Sequence, residues 1–183
     1  MPNWCKNHIE ISGHKAKVVE LLDRTLKNGL FNTVIQLPNE LKEIISLPFS
    51  ESTNGYLHQD YKLYKKNNGE MNPITEDFKK TLIQKYGTFE ISVWKNQNWG
   101  TGWEAEITSD LNEEILNAKQ TPQNFVTACI RFITGWTPPF KVYERLVSEG
   151  FIVDAHYYEP DNNLCGRFKD GKNSCLVSMD FVV

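Results

Sequence analysis

Nothing in this chain approaches the roughly 18 consecutive apolar residues of a membrane-spanning helix. That excludes a helical membrane span. Cysteine is sparse: four in 183 residues, at Cys5, Cys129, Cys165 and Cys175. No C-x-x-C pair occurs, which argues against a zinc knuckle. An excess of positive charge is also missing. Twenty Lys and Arg stand against 23 Asp and Glu, a net charge of −3. Any nucleic-acid binding must therefore come from a local patch. The chain has no phosphate-binding Gly-Lys-Ser/Thr loop, no dinucleotide glycine fingerprint and no nucleophile elbow. No catalytic residue and no cofactor is assigned from sequence, and the balance leans away from an enzyme. Internal repeats and low-complexity tracts are absent. The opening Met1-Pro2-Asn3-Trp4-Cys5-Lys6-Asn7-His8 lacks the apolar core of an export signal. The expectation is a cytoplasmic protein with reduced thiols and no membrane association.

The chain does have aromatic residues, 12% of the total, with five Trp. The densest cluster is Asn98-Trp99-Gly100-Thr101-Gly102-Trp103, two indoles around two residues that tolerate positive φ. Alternation predicts a strand over 4–12, with Cys5, Asn7, Ile9 and Ile11 on one face and Lys6, His8 and Glu10 on the other. A helix over 14–28 follows, with Val18, Leu21, Leu22, Thr25 and Leu26 as its stripe and Gly29 as its stop. A short helix is expected from Pro38 to Ile45, ended by Pro48. A polar irregular loop is expected over about 50–73, and a helix over 75–86 with Phe78, Leu82 and Ile83 inward.

Period-two runs then predict strands at 89–93, 103–107, 114–119 and 125–134. Thr137 is expected to cap a helix running to Ser148, and strands follow at 151–158, 163–169 and 173–182. Asp170-Gly171 is a hairpin signal. The fold class is therefore α+β: an antiparallel sheet with helices packed on one face, in a single domain over 1–183 carrying the polar insertion at about 50–73. The unit over 125–158 is a candidate split βαβ.

Several motifs fall in a fixed order. They are Met1-Pro2-Asn3-Trp4-Cys5 with Asn7, Asn98-Trp99-Gly100-Thr101 with Trp103, Trp136-Thr137-Pro138-Pro139, and Tyr158-Glu159-Pro160 with Gly166. In this the chain resembles the YubB/Api-type ferredoxin-like domain proteins of bacteriophages and plasmids. The resemblance spans nearly the whole sequence. It implies a ferredoxin-like α+β fold, with no iron–sulfur cluster, and a mobile-element origin. It carries no established activity. The family pattern would place a basic residue where Gly102 stands, so a ligand contact made there would be missing.

The tryptophans have two uses. Packing anchors are the commoner one; an aromatic binding surface built from Trp99, Trp103 and Trp136 is the sharper one. Tyr61-Lys62-Leu63-Tyr64-Lys65-Lys66 interleaves aromatic and basic side chains, making Tyr61, Lys62, Tyr64, Lys65 and Lys66 candidate nucleic-acid contacts. Solvated loops use such runs more often. Asp154, His156 and Tyr158 share a strand face, an arrangement most strands use only as a wet surface. If that strand neighbours the first, His8, Glu10, Asp154 and His156 converge as weak metal candidates. A two-residue Asp170-Gly171 turn sets Cys175 opposite Gly166, so a Cys165–Cys175 disulfide needs a three-residue loop instead.

Three functions are consistent with these features. The first is a mobile-element interaction protein, non-enzymatic, binding a host protein and inhibiting a host defence complex. The second is a nucleic-acid-binding accessory protein, by analogy with other sheets of this kind. The third is a small metal-dependent hydrolase working from the His8 and His156 faces. Oligomeric state is not legible from the sequence.

Overall fold

A computed structural model describes residues 3–53, 56–67 and 70–175, excepting the side chains of 47–62, 66, 67 and 175. The chain begins with strand β1 (Trp4–His14), helix α1 (Lys15–Asn28), and two short helices, α2 (Leu30–Val34) and α3 (Asn39–Lys42). Three strands follow, β2 (Ile44–Thr53), β3 (Tyr56–Asn67) and β4 (Glu70–Pro73), then helices α4 (Glu76–Tyr86) and α5 (Ile91–Trp99). Next come strand β5 (Glu106–Ile107), helix α6 (Leu111–Gln120), strand β6 (Phe125–Gly135) and helix α7 (Phe140–Ser148). The last strands are β7 (Ile152–Glu159), β8 (Leu164–Lys169) and β9 (Lys172–Cys175). The chain divides into two compact units, 1–36 with 95–183, and 37–94.

The larger unit is an α+β structure on a six-stranded sheet of order β5-β6-β1-β7-β8-β9. Every pairing is antiparallel. Strands β6 and β7 both run against β1, which lies between them, and α7 connects them. That is the split βαβ arrangement. Alternation sorts the strand side chains as the sequence indicates: Cys5, Asn7, Ile9 and Ile11 are buried, as are Val126, Ala128, Ile130 and Phe132. These face Val18, Leu21 and Leu22 of α1, Phe31 of α2, and Val142 and Leu146 of α7, all buried. Phe31 meets Phe132 edge-on at 5.8 Å, and Phe140 meets Tyr157 the same way at 5.3 Å. Leu26, counted in the α1 stripe, is half exposed, because the buried face ends at Thr25.

One polar network crosses this core. Asn7 Nδ2 donates to Cys5 O at 2.9 Å and to Thr134 Oγ1 at 3.0 Å. Tyr143 Oη donates to Asn7 Oδ1 at 2.9 Å, and Thr134 Oγ1 donates to Thr137 O at 2.8 Å. Asn7, Thr134 and Tyr143 are all buried, so β1, β6 and α7 are joined where water cannot substitute.

Three expected elements take another form. The alternation over 89–93 lies in the α5 region, where Trp94 N bonds to Glu90 O and Thr88 Oγ1 accepts from Glu90 N. Five alternating residues are too few to outweigh a capped turn. The expected strand over 114–119 is α6: Asp110 Oδ1 caps Asn112 N and Glu113 N, and Leu111, Ile115 and Ala118 form a buried helical stripe. The expected strand over 103–107 shrinks to Glu106–Ile107, because Glu104 turns to cap α2, accepting from Phe31 N at 2.6 Å and Asn32 N at 2.9 Å. Burial raises the Glu104 carboxyl above its usual range, and those amides hold it partly back. Thr137 does not cap α7; Pro139 holds the cap position with no side-chain bond.

In the smaller unit, the stretch expected as a polar loop at about 50–73 forms a three-stranded antiparallel sheet of order β2-β3-β4. Its polar sequence hides the alternation that usually announces a strand. Pro48, expected to end a helix that α3 completes by Lys42, sits on the edge strand β2, where a missing N–H is tolerated. Helix α4 forms as expected, with Thr75 Oγ1 accepting from Phe78 N and Gly87 in the left-handed region after it. Leu82 is buried, but Ile83 is half exposed.

Asn7→Ala is expected to lose about 2–4 kcal/mol of stability, since it strands buried groups on three elements, and Tyr143→Phe about 1–2 kcal/mol. Equilibrium denaturation of both variants checks the ordering.

Candidate functional site

The Asn98-Trp99-Gly100-Thr101 segment is bolted to the turn after β6. Thr101 Oγ1 donates to Gly135 O at 2.9 Å, and Thr137 Oγ1 donates to Gly100 O at 2.8 Å. Gly100 has φ +86, and a Cβ there would meet Phe140 N at 3.4 Å. Both the backbone sign and the close approach call for glycine. Trp99 is 2% exposed and donates Nε1 to Ile35 O at 2.8 Å. It is a core anchor, so its expected place on a binding surface is corrected.

The other indoles behave differently. Trp4, Trp103 and Trp136 are 42%, 47% and 47% exposed. All three gather around Gly135. Trp4 is its partner across the strands, and Trp103 lies where a Cβ of Gly135 would stand. Trp136 follows it in sequence, with φ +71. Thr137 N bonds to Gly135 O at 2.9 Å, closing a three-residue turn with Trp136 at its centre. Such turns are strained for any residue with a Cβ. Trp136 N to Asn3 O, 2.7 Å, helps hold the strain.

From this aromatic end, the second face of the sheet runs into a polar band. Cross-strand register aligns Arg131, His8, His156 and Arg167 in one row, and Cys129, Glu10, Asp154 and Lys169 in the next. The condition set by sequence is met: β1 and β7 are neighbours. Asp154, however, is committed to cationic partners. Asp154 accepts from Arg167 Nε at 2.7 Å and from Arg167 Nη2, and lies 3.2 Å from Lys169 Nζ. His156 Nε2 lies 3.5 Å from the same carboxylate. The Arg167 hydrogen bonds and the adjacent Lys169 hold the Asp154 carboxyl down at about 2, against the pull of partial burial. The ligand-like cluster on this face is His8, Glu10 and Cys129, whose donor atoms lie within 4.8 Å of one another. Asp154 and His156 are thereby replaced as metal candidates. Cys129 was missed as a ligand because the partnership comes from β6, more than a hundred residues away.

Other features serve the scaffold. Glu159, fully buried, accepts from Asp161 N, Asn162 N and Asn162 Nδ2, which explains the Tyr158-Glu159-Pro160 motif as a turn clamp. Burial pushes the Cys5 thiol up to about 12, with Glu159 nearby adding to the rise, so it is inert at neutral pH. The last hairpin turns at Asp170-Gly171, both at positive φ, and pairs Cys175 with Gly166 as the two-residue turn requires. In the smaller unit, Lys65 lies 3.5 Å from Glu43 and over the Phe78 ring at 5.1 Å, and Tyr64 is half-buried. Lys65 is thereby engaged within that unit. The side chains of Tyr61, Lys62 and Lys66 lie outside the described residues.

No helix is long and apolar enough to cross a membrane among the described residues. No family model, curated protein or solved structure matches the chain.

The folded-state pKa of Asp154 lies below its ordinary value of 3.8, so it contributes stability above that value that is lost as pH falls toward 2. Acid titration of stability is expected to show a loss of about 1–2 kcal/mol in that window, discounted for partial exposure. Asp154→Asn should flatten that part of the curve.

Proposed function

We propose that the chain is a non-enzymatic interaction protein of a mobile element, which binds a host protein through the aromatic end of its six-stranded sheet. The observation that carries this reading is the exposed trio Trp4, Trp103 and Trp136 around Gly135, one member held at φ +71. Three half-exposed indoles gathered at one place make an aromatic patch, and tryptophan is among the side chains most enriched at protein hot spots. Strain at Trp136 points the same way, since an unfavourable backbone persists where its geometry is used. The strand order β5-β6-β1-β7 with α7 crossing from β6 to β7 is compatible with the ferredoxin-like fold that the YubB/Api-type resemblance implies. Blocking of a host defence complex is the role that this origin favours.

One observation favours a second reading. Lys6 and Arg131 are exposed on the face that carries Trp4, and stacked bases with neutralised phosphates need that mixture. An acidic chain places this reading second.

The two roles of Trp136 separate experimentally. Glycine takes φ +71 without strain, so Trp136→Gly is expected to keep or slightly raise stability, by up to about 1 kcal/mol. The same change, and Trp103→Ala, should weaken capture of a stoichiometric partner from bacterial lysate by about 10–100-fold each. A loss of several kcal/mol in Trp136→Gly with unchanged capture would make the trio scaffold only. A salt-dependent mobility shift with single-stranded DNA or RNA, lost in Trp103→Ala, would move the assignment to nucleic acid.

A further inference from the structure

We infer that His8, Glu10 and Cys129 form a binding site for one zinc-class divalent cation on the face of the sheet opposite the helices. A ring nitrogen, a carboxylate oxygen and a thiol sulfur lie within 4.8 Å of one another. In a tetrahedral zinc site the bond lengths are about 2.0–2.3 Å, which sets ligand atoms about 3.3–3.8 Å apart. Side-chain rotation closes that difference, since Glu10 is exposed and long. The three positions are fixed by rigid pairing rather than by a loop. His8 and Glu10 are two apart on β1, so their side chains share a face, and Cys129 stands directly opposite Glu10 on β6.

A second observation is independent of that spacing. His8 Nε2 is buried and has no hydrogen-bond partner. Buried ring nitrogens are nearly always paired, and an orphan beside a thiol and a carboxylate is what a site awaiting a cation presents. Burial pushes the Cys129 thiol up, Glu114 and Glu10 add to the rise, and only Arg131 opposes them. Glu114 also accepts from Cys129 N at 2.9 Å, which fixes the β6 backbone beneath the sulfur. A dication reverses the sign of that local field and draws the sulfur into its thiolate form. One imidazole, one carboxylate and one thiolate leave a fourth position for water, and mixed N, O and S donors suit zinc better than magnesium or calcium.

The test uses the untagged full chain, kept reduced and stripped with chelator. Zinc titrated by calorimetry is expected to bind at one ion per chain. Cobalt in its place should give the charge-transfer absorption of a thiolate–cobalt bond. Cys129→Ser should abolish that absorption, although three other thiols remain. His8→Asn and Glu10→Gln should each weaken zinc binding by more than about tenfold. His156→Asn should leave it unchanged. Circular dichroism confirms that each variant is folded. Absence of stoichiometric zinc binding, a cobalt spectrum lacking the thiolate band, or a Cys129→Ser protein that binds like the parent would each overturn the site. Reading metal occupancy rather than partner capture keeps this outcome separate from that of the aromatic surface.

Discussion

The larger unit depends on the buried amide of Asn7. One side chain satisfies Cys5 O and Thr134 Oγ1 and accepts from Tyr143, thereby tying β1, β6 and α7 at a point closed to water. Apolar packing against the helices is tolerant of small shifts, whereas a buried network is not. Asn7 therefore fixes which residues of β6 stand opposite β1. Everything on the other face follows from that register. Trp4 meets Gly135, His8 meets Arg131, and Glu10 meets Cys129 only in this alignment. A slip of one residue would turn each of those side chains to the wrong side.

The same constraint explains the tryptophan motif. Thr101 and Thr137 exchange hydroxyl bonds with Gly135 O and Gly100 O, so the loop after α5 and the turn after β6 hold one another. Trp99 goes inward because its indole N–H finds Ile35 O; Trp103 goes outward because Gly135 leaves the room its ring occupies. Two indoles four residues apart thus acquire opposite roles. The sheet has one face filled with aromatic and aliphatic packing. The other grades from an aromatic end into a polar band, where Asp154 is saturated by Arg167 and Lys169 and His8 is left with an orphan nitrogen.

Strands with clean alternation were legible from sequence: β1 and β6 bury the residues the pattern marks. The Asp170-Gly171 turn was legible too, since it is local chemistry. Where reading failed, a local signal lost to a capping bond. Asp110 converts an ambiguous run into α6, and Glu104 leaves its expected strand to satisfy the first amides of α2. In β2, Ile45, Leu47 and Phe49 alternate with Ser46, Pro48 and Ser50, but a helix expected to run to Ile45 and end at Pro48 splits that run, and β3 and β4 are largely polar. At the site, His8 and Glu10 could be named from one strand, but not their third companion.

Composition and periodicity alone determined an α+β chain with an antiparallel sheet, no membrane-spanning helix, and a polar strand face carrying His8 and Glu10. They also marked the tryptophan segments as special. Only the tertiary structure decided which indole is buried, that Arg167 and Lys169 hold Asp154, and that Cys129 stands beside Glu10. The physical reason is range. Periodicity and capping act over a few residues, whereas the site is assembled by strand register between positions more than a hundred residues apart, and that register is set by buried hydrogen bonds.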